Sequence, residues 1–184
     1  RVAVAVDGRP ALGVRRVHHR GAGATEWLGV YASGLSCETY PVRIGFTLPA
    51  ARHVYDVRAG AYLGDVQTFA QPFEAMETRY YSLLPYRVEA VGLKLAGKAV
   101  RGTVLEAGAE LKTGGAPAGN HAFLVTVTGA DGAEIPCFEQ LVWAEQGRAA
   151  IRLPLAFNEK PGTYTLVVRD VPTGMTARER FTLR

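Results

Sequence analysis

The chain has 184 residues, of which 48% are hydrophobic and 21% charged, as expected for a folded globular protein of one large or two small domains. It has 21 glycines and 10 prolines but no low-complexity run, and no apolar run approaches the roughly 20 residues that span a bilayer, which argues against disorder and against a transmembrane segment. The formal net charge of +4 is mild and spread along the chain, whereas nucleic-acid binding needs a basic stripe or patch, so we expect no nucleic-acid partner.

Four strands are predicted in the first part of the chain. Apolar residues alternate with other residues at 1–6, 14–19, 26–32 and 42–48, which is the period of a half-buried strand. A strong turn signal, Asp7-Gly-Arg-Pro10, separates the first two. Because the chain begins inside a strand pattern and shows no signal sequence, we expect it to be a piece of a larger protein.

A β-hairpin is predicted next, over 54–64. Alternation at its start is followed by Ala59-Gly60, and a glycine supplies the positive φ that a tight reversal needs. Gly64-Asp65 then predicts a break before a short strand at 66–69. A longer strand is expected at 73–84, and because it is apolar on both faces we expect it to be central in its sheet.

The strand pattern restarts after the short junction Pro85-Tyr-Arg87. Asp131-Gly132 is a leading hairpin signal, and proline on the outward side of the strand at 151–155 predicts an edge strand. The predicted strands are 88–95, 98–106, 109–112, 123–128, 135–143, 151–155, 163–168 and a last strand that ends at Leu183.

Together these patterns predict an all-β fold of two antiparallel β-sandwich domains. No span of ten or more residues has a helical period, and short strands recur with turn signals between them. The predicted domains are an antiparallel β-domain at 1–87 and an immunoglobulin-like or fibronectin-like sandwich at 88–184. Cys37 and Cys137 lie far apart, so a disulfide between them remains open, but two unpaired, buried thiols are the favoured interpretation.

Four exposed-aromatic candidates could form a carbohydrate-binding surface: Trp27, Tyr80, Tyr81 and Trp143. Aromatic rings on β-sandwiches commonly contact sugars, but the alternative is that most of these rings fill the core. Tyr86 is a fifth candidate, although its place at the junction favours packing between the two halves.

Catalytic and metal sites are not predicted. A pair of catalytic carboxylates for glycoside hydrolysis would have to come from the candidates Asp56, Asp65, Glu74 and Glu77, but acids in or beside hairpin strands are normally solvated or cap turns. Adjacent His18 and His19 point to opposite faces of a strand, so they cannot bind one metal ion together. The oxygen ligands that could hold calcium are explained by turn chemistry; they are Asp131, Asn158, Glu159 and Asp170. We therefore expect no catalytic residue, metal or cofactor.

Two stretches of the first half, Val54-Tyr-Asp-Val-Arg-Ala-Gly-Ala-Tyr-Leu-Gly64 and Leu83-Leu-Pro-Tyr-Arg87, resemble the C-terminal, non-catalytic β-domains of bacterial β-galactosidase-like glycoside hydrolases. They are also distantly similar to the β-domain that follows α-amylase barrels. Three stretches of the second half look like the β-sandwich that comes next in such proteins: Pro154-Leu-Ala-Phe-Asn158, Gly162-Thr-Tyr-Thr165 and Arg169-Asp-Val-Pro-Thr-Gly174.

The resemblance implies a non-enzymatic accessory region that supports, orients or oligomerises the catalytic part of a larger, exported protein. Its partners would be the catalytic domain of the same chain and a polysaccharide, and its location extracytoplasmic or at the cell surface. The resemblance brings no catalytic residue with it. Two other functions stay open, a carbohydrate-binding module that acts through exposed aromatics and a surface adhesion or interaction module.

Overall fold

The computed structural model describes residues 2–6, 8–11, 13–21, 25–33 and 40–184, and within them the fold is all-β, as predicted. The chain divides into two compact units, Arg1–Arg87 and Val88–Arg184. The described residues contain one short 3-10 helix, Pro136–Phe138, and no helix among them has the length and hydrophobicity needed to cross a membrane.

One antiparallel sheet forms the first unit. Its strand order is β2-β1-β5-β7-β4-β3, with β6 paired to β5. The strands are β1 Ala3–Val6, β2 Arg9–Pro10, β3 Val14–Arg20, β4 Glu26–Ala32, β5 Val42–Asp56, β6 Ala61–Phe73 and β7 Thr78–Leu84.

The long strand β5 makes this sheet fold over its own core. Its first half pairs with β1 and its second half with β7, while β6 follows both halves. The pairing partner of β5 changes from β1 to β7 across a register shift between Thr47 and Arg52. At this shift Gln67 of β6 donates a hydrogen bond to the Leu48 carbonyl at 3.3 Å. Residues from opposite ends of the sheet consequently share one core, which includes Val4, Val14, Leu28, Val30, Phe46, Phe73 and Tyr81.

The second unit is a sandwich of two sheets, ordered β11-β10-β13-β14 and β12-β9-β8. Strands one, two and five of the unit form the smaller sheet and strands three, four, six and seven the larger, which is an immunoglobulin/fibronectin-like arrangement. The strands are β8 Arg87–Ala96, β9 Val104–Gly114, β10 His121–Thr128, β11 Gln140–Ala144, β12 Arg148–Pro154, β13 Gly162–Asp170 and β14 Thr176–Leu183. Both sheets contribute fully buried residues, among them Leu105, Phe123, Ile151 and Leu166.

The structure of the first unit differs from the prediction at three places. The strands expected at 42–48 and at the start of the hairpin are one strand, β5. Gly64, with φ +123°, lies inside β6 at a second register shift and marks a bulge, so the predicted break is not a turn. The strand expected at 73–84 is interrupted by a turn at 74–77, but its second part, β7, is central between β4 and β5, as predicted.

The second unit also differs from the prediction in where its strands begin and end. Residues 97–103 are irregular, so the strand expected at 98–106 begins only at Val104, and one strand, β9, also includes 109–112. The short 3-10 helix interrupts the return strand expected at 135–143. Cys137 is an exposed free cysteine, so the prediction of a buried thiol is wrong there, and Cys37 lies outside the described residues.

Candidate functional site

Tyr81, one of the four predicted carbohydrate platforms, is a core residue. It is 0% exposed and lies 5.7 Å from Phe46 between ring centroids, so its ring has no face open to solvent. Burial raises the pKa of its phenol, as expected for a group that cannot be charged cheaply away from water. The prediction that Tyr81 binds sugar is therefore wrong. Tyr86 is also buried.

Trp27 and Tyr80 lie side by side on the solvent side of the first unit. Trp27 of β4 is in register with Ser82 of β7, and Gly29 with Tyr80. Residues opposite each other share a face, so Trp27 and Tyr80 are diagonal neighbours about 7 Å apart. The alternate residues of β4 point the other way, into the core.

Gly29 makes room for the Tyr80 ring. A Cβ built on Gly29 would lie 3.4 Å from Cε1 of Tyr80, so the ring rests against the glycine backbone. Val17 of β3 pairs with Gly29 from the other side and is exposed, and Tyr31, two residues along β4, is half-buried. We call Val17, Trp27, Tyr31 and Tyr80 the aromatic face.

The polar groups at the edge of this face are held in place. The Arg58 guanidinium lies 6.0 Å from the Tyr80 ring centroid and donates a hydrogen bond to the Thr78 carbonyl at 3.3 Å. The Tyr31 hydroxyl donates to the Met76 sulfur at 3.6 Å. Tyr80 is 46% exposed, so a broad part of its ring stays open to solvent. The face can therefore offer flat apolar rings with hydrogen-bonding groups beside them.

Trp143, the fourth candidate, lies in the second unit on the edge strand β11. Its side chain is 63% exposed, and the neighbouring Leu141 on the same face is 69% exposed. The structure therefore brings Trp27 and Tyr80 together in the first unit, whereas Trp143 belongs to the second unit.

Two of the four candidate acids meet, at Arg79. Asp56 accepts backbone hydrogen bonds from Arg58 at 3.1 Å and Ala59 at 3.0 Å, which caps the hairpin turn. Its other oxygen lies 3.6 Å from Arg79, whose Nε donates to Glu77 at 2.7 Å. One guanidinium therefore bridges both carboxylates.

The charge on Glu77 works against acid catalysis. Burial raises the pKa of this carboxyl, but the hydrogen bonds from Arg79 and from the Glu74 backbone amide lower it by more than burial raises it. The pKa of Glu77 therefore lies below its usual value. A general acid for glycoside hydrolysis needs a raised pKa. Glu74 and Asp65, the other two candidates, are exposed.

The calcium candidates do not converge. Asp131 accepts a hydrogen bond from the Ala133 amide at 3.1 Å and so caps the predicted hairpin turn. Asp131, Asn158 and Glu159 border one open groove, while Asp170 lies at the other end of the sandwich. No group of three or more His, Cys, Asp or Glu side chains among the described residues could hold a metal ion.

Asp170 instead belongs to a buried network that no sequence pattern indicates. One oxygen lies 2.7 Å from Nδ1 of His121, and the other accepts a hydrogen bond from the Thr173 hydroxyl at 2.5 Å. The two side chains of the pair are completely buried, so the network ties β10 to the turn after β13. His121 and Asp170 are 49 positions apart, and no local pattern connects them.

The predicted opposite orientation of His18 and His19 agrees with their surroundings. His18 is half-buried and its Nε2 lies 2.7 Å from Glu26, whereas His19 is exposed. Burial raises the pKa of Glu26, but the hydrogen bonds from His18 and Arg52 have the larger effect, so the pKa lies below its usual value. Sequence reasoning missed this charged cluster because its members come from three different strands.

Comparison with known proteins does not assign a family. No protein-family model matches the sequence, and no match was found among curated proteins. The resemblance to β-galactosidase-like accessory domains accordingly stays a prediction.

Proposed function

We propose that the chain is a non-catalytic accessory region of a larger glycoside-hydrolase-like protein and that its aromatic face binds a polysaccharide. The observation that carries the proposal is the place of half-buried Trp27 beside exposed Tyr80 on one face of the sheet. Flat rings that keep an open face can contact the apolar side of a sugar, and nearby donors can fix its orientation.

The accessory role is supported by what the candidate acids do. Asp56 and Glu77 share Arg79, and each accepts backbone hydrogen bonds in turns, so their visible role is to shape the hairpin. The resemblance of the same hairpin to non-catalytic β-domains points the same way. In this role the region would hold a polysaccharide near the catalytic domain of the same protein.

The test is affinity electrophoresis of the whole chain in gels that contain neutral soluble polysaccharides, with galactan first. We expect retardation of the wild type and at least a tenfold weaker interaction for Tyr80→Ala. Tyr80 is the preferred position because its exposed ring can be removed with little effect on the core. Trp27→Ala should act in the same direction, with circular dichroism to check that it folds.

Phe157→Ala is the matched control, since Phe157 is an exposed aromatic residue of the second unit. It should leave retardation unchanged. Migration unaffected by every polysaccharide would reject the aromatic face and favour a purely structural or adhesive role. Hydrolysis of a chromogenic galactoside by this chain would overturn the non-catalytic proposal.

A further inference from the structure

The solvent side of the four-stranded sheet in the second unit carries arginines and threonines at one end and exposed apolar side chains at the other. The register places Thr128, Thr165 and Arg180 in one row and Thr126, Val167 and Arg178 in the next. Trp143 is in register with Ala122 at the far end of β10. Residues of one row point to the same face, so these side chains form one surface, which we call the arginine face.

Arg178 and Arg180 have uncommitted guanidinium groups. Both side chains are exposed, and neither forms an ion pair or hydrogen bond with another described residue. The outer side of the opposite sheet is different. There Arg148 lies 2.6 Å from Glu110, and Arg152 lies 3.7 Å from Glu106. The same sandwich thus has one sheet in which Arg148 and Arg152 are paired and one in which Arg178 and Arg180 are available to a ligand.

The two arginines border a groove of about 680 Å³ with a floor of hydroxyl groups. Thr126, Thr128 and Thr165 lie on this floor, and each hydroxyl can donate one hydrogen bond and accept others. Two acids also border the groove, Glu134 and Glu179, but neither lies within ion-pair distance of an arginine in the part of the chain that the structure describes. Glu179 is in register with Leu166 and so belongs to the other side of β14.

The length of the arginine face decides the size of its ligand. Six residues of β10 separate the row of Trp143 from the row of Arg180, which corresponds to about 20 Å along the strand. A single sugar or a small anion would cover only one end. A polymer could contact the guanidinium groups, the threonines and the exposed indole together.

We propose that the arginine face binds an acidic polysaccharide whose sugars carry carboxylate groups. Arg178 and Arg180 are two residues apart on the same face of β14, about 7 Å, and guanidinium groups bind carboxylates through paired hydrogen bonds. The threonines suit sugar hydroxyls, and Trp143 with Leu141 suits the apolar side of a ring. Nucleic acid is a poorer match, because the unit carries 11 basic and 10 acidic residues, a net charge of only +1.

The test uses the whole chain and measures Kd for polygalacturonate and for its fully methyl-esterified, neutral form. We expect binding to polygalacturonate that weakens as salt is raised, and at least tenfold weaker binding to the ester. The double variant Arg178→Ala/Arg180→Ala should lose at least tenfold in affinity. Trp143→Ala should weaken binding as well but leave the salt dependence in place.

The double variant Arg148→Ala/Arg152→Ala is the matched control, since it removes the same charge from the opposite sheet. It should bind polygalacturonate within twofold of the wild type. An equal loss in both double variants, no binding of the wild type, or tighter binding to duplex DNA than to polygalacturonate would each overturn the proposal. The result of this test does not depend on whether the aromatic face binds sugar, because that face is tested separately with neutral polysaccharides and Tyr80→Ala.

Discussion

Arg79 determines how the acids around the first hairpin behave. Its guanidinium contacts both Asp56 and Glu77 and lies 5.0 Å from the Phe73 ring centroid. The favourable contacts hold Glu77 in its charged form and link the hairpin turn to the start of β7. Glycoside hydrolysis would need one of the two carboxyl groups protonated, whereas Arg79 favours the charged form of Glu77, so stability and acid catalysis make opposite demands here.

Glu77→Gln should destabilise the first unit in a pH-dependent way. Because the folded-state pKa of Glu77 lies below its usual value, the carboxylate stabilises the fold above that usual value, and the contribution disappears as pH falls through the folded-state pKa. We expect a loss of about 0.5 kcal/mol at pH 7, typical of a solvent-screened ion pair, that fades below pH 4. Urea unfolding at both pH values measures it.

Asp65→Asn provides the comparison, because it removes an exposed carboxylate of β6. Its effect should be smaller at pH 7. A Glu77→Gln loss that stayed constant from pH 7 to strongly acid conditions would show that packing of the side chain, and not its charge, is responsible.

At the scale of elements, glycines serve two different purposes in the second unit. Gly132 has φ +81° in the turn between β10 and β11, whereas Gly108 lies in the middle of β9 without a positive φ. A Cβ would meet no atom within 4 Å at either position. The two positions therefore differ in backbone conformation and not in available space.

Alanine should have opposite effects at these two glycines. Gly132→Ala forces a side chain into the left-handed region and should cost about 1–2 kcal/mol. Gly108→Ala reduces the freedom of the unfolded chain and should stabilise by about 0.5–1 kcal/mol. Chemical denaturation of both variants gives the comparison, and destabilisation by Gly108→Ala would show that the strand needs a glycine there for a reason other than its own backbone.

Turn chemistry also explains which elements could be predicted. Ala59-Gly60 and Asp131-Gly132 are local signals, and both lie at turns in the structure. The continuity of β5 could not be predicted, because alternation fails at 48–51 while pairing to β6 resumes beyond it. The turn at 74–77 was missed because it contains no glycine or proline and places Met76 at φ +60°.

At the scale of the molecule, the candidate site depends on register, which one sequence does not contain. Composition alone indicates Trp27 and Tyr80, but they are 53 positions apart and meet only because β4 pairs with β7. The adjacent Tyr80 and Tyr81 lie in a strand that is apolar on both faces, so alternation could not show which of them is exposed. The arginine face likewise joins four strands across three registers.

The second unit should fold by itself. A fragment of residues 87–184 keeps all seven strands, and every strand pairing of its two sheets lies inside the fragment. A domain of about 100 residues with such a core is expected to have a free energy of unfolding of about 5 kcal/mol or more. Dispersed amide signals in a ¹H–¹⁵N spectrum and one cooperative urea transition would confirm it. A collapsed spectrum would show that the sandwich requires the preceding residues, because its own strand pairing would then be insufficient for a stable fold.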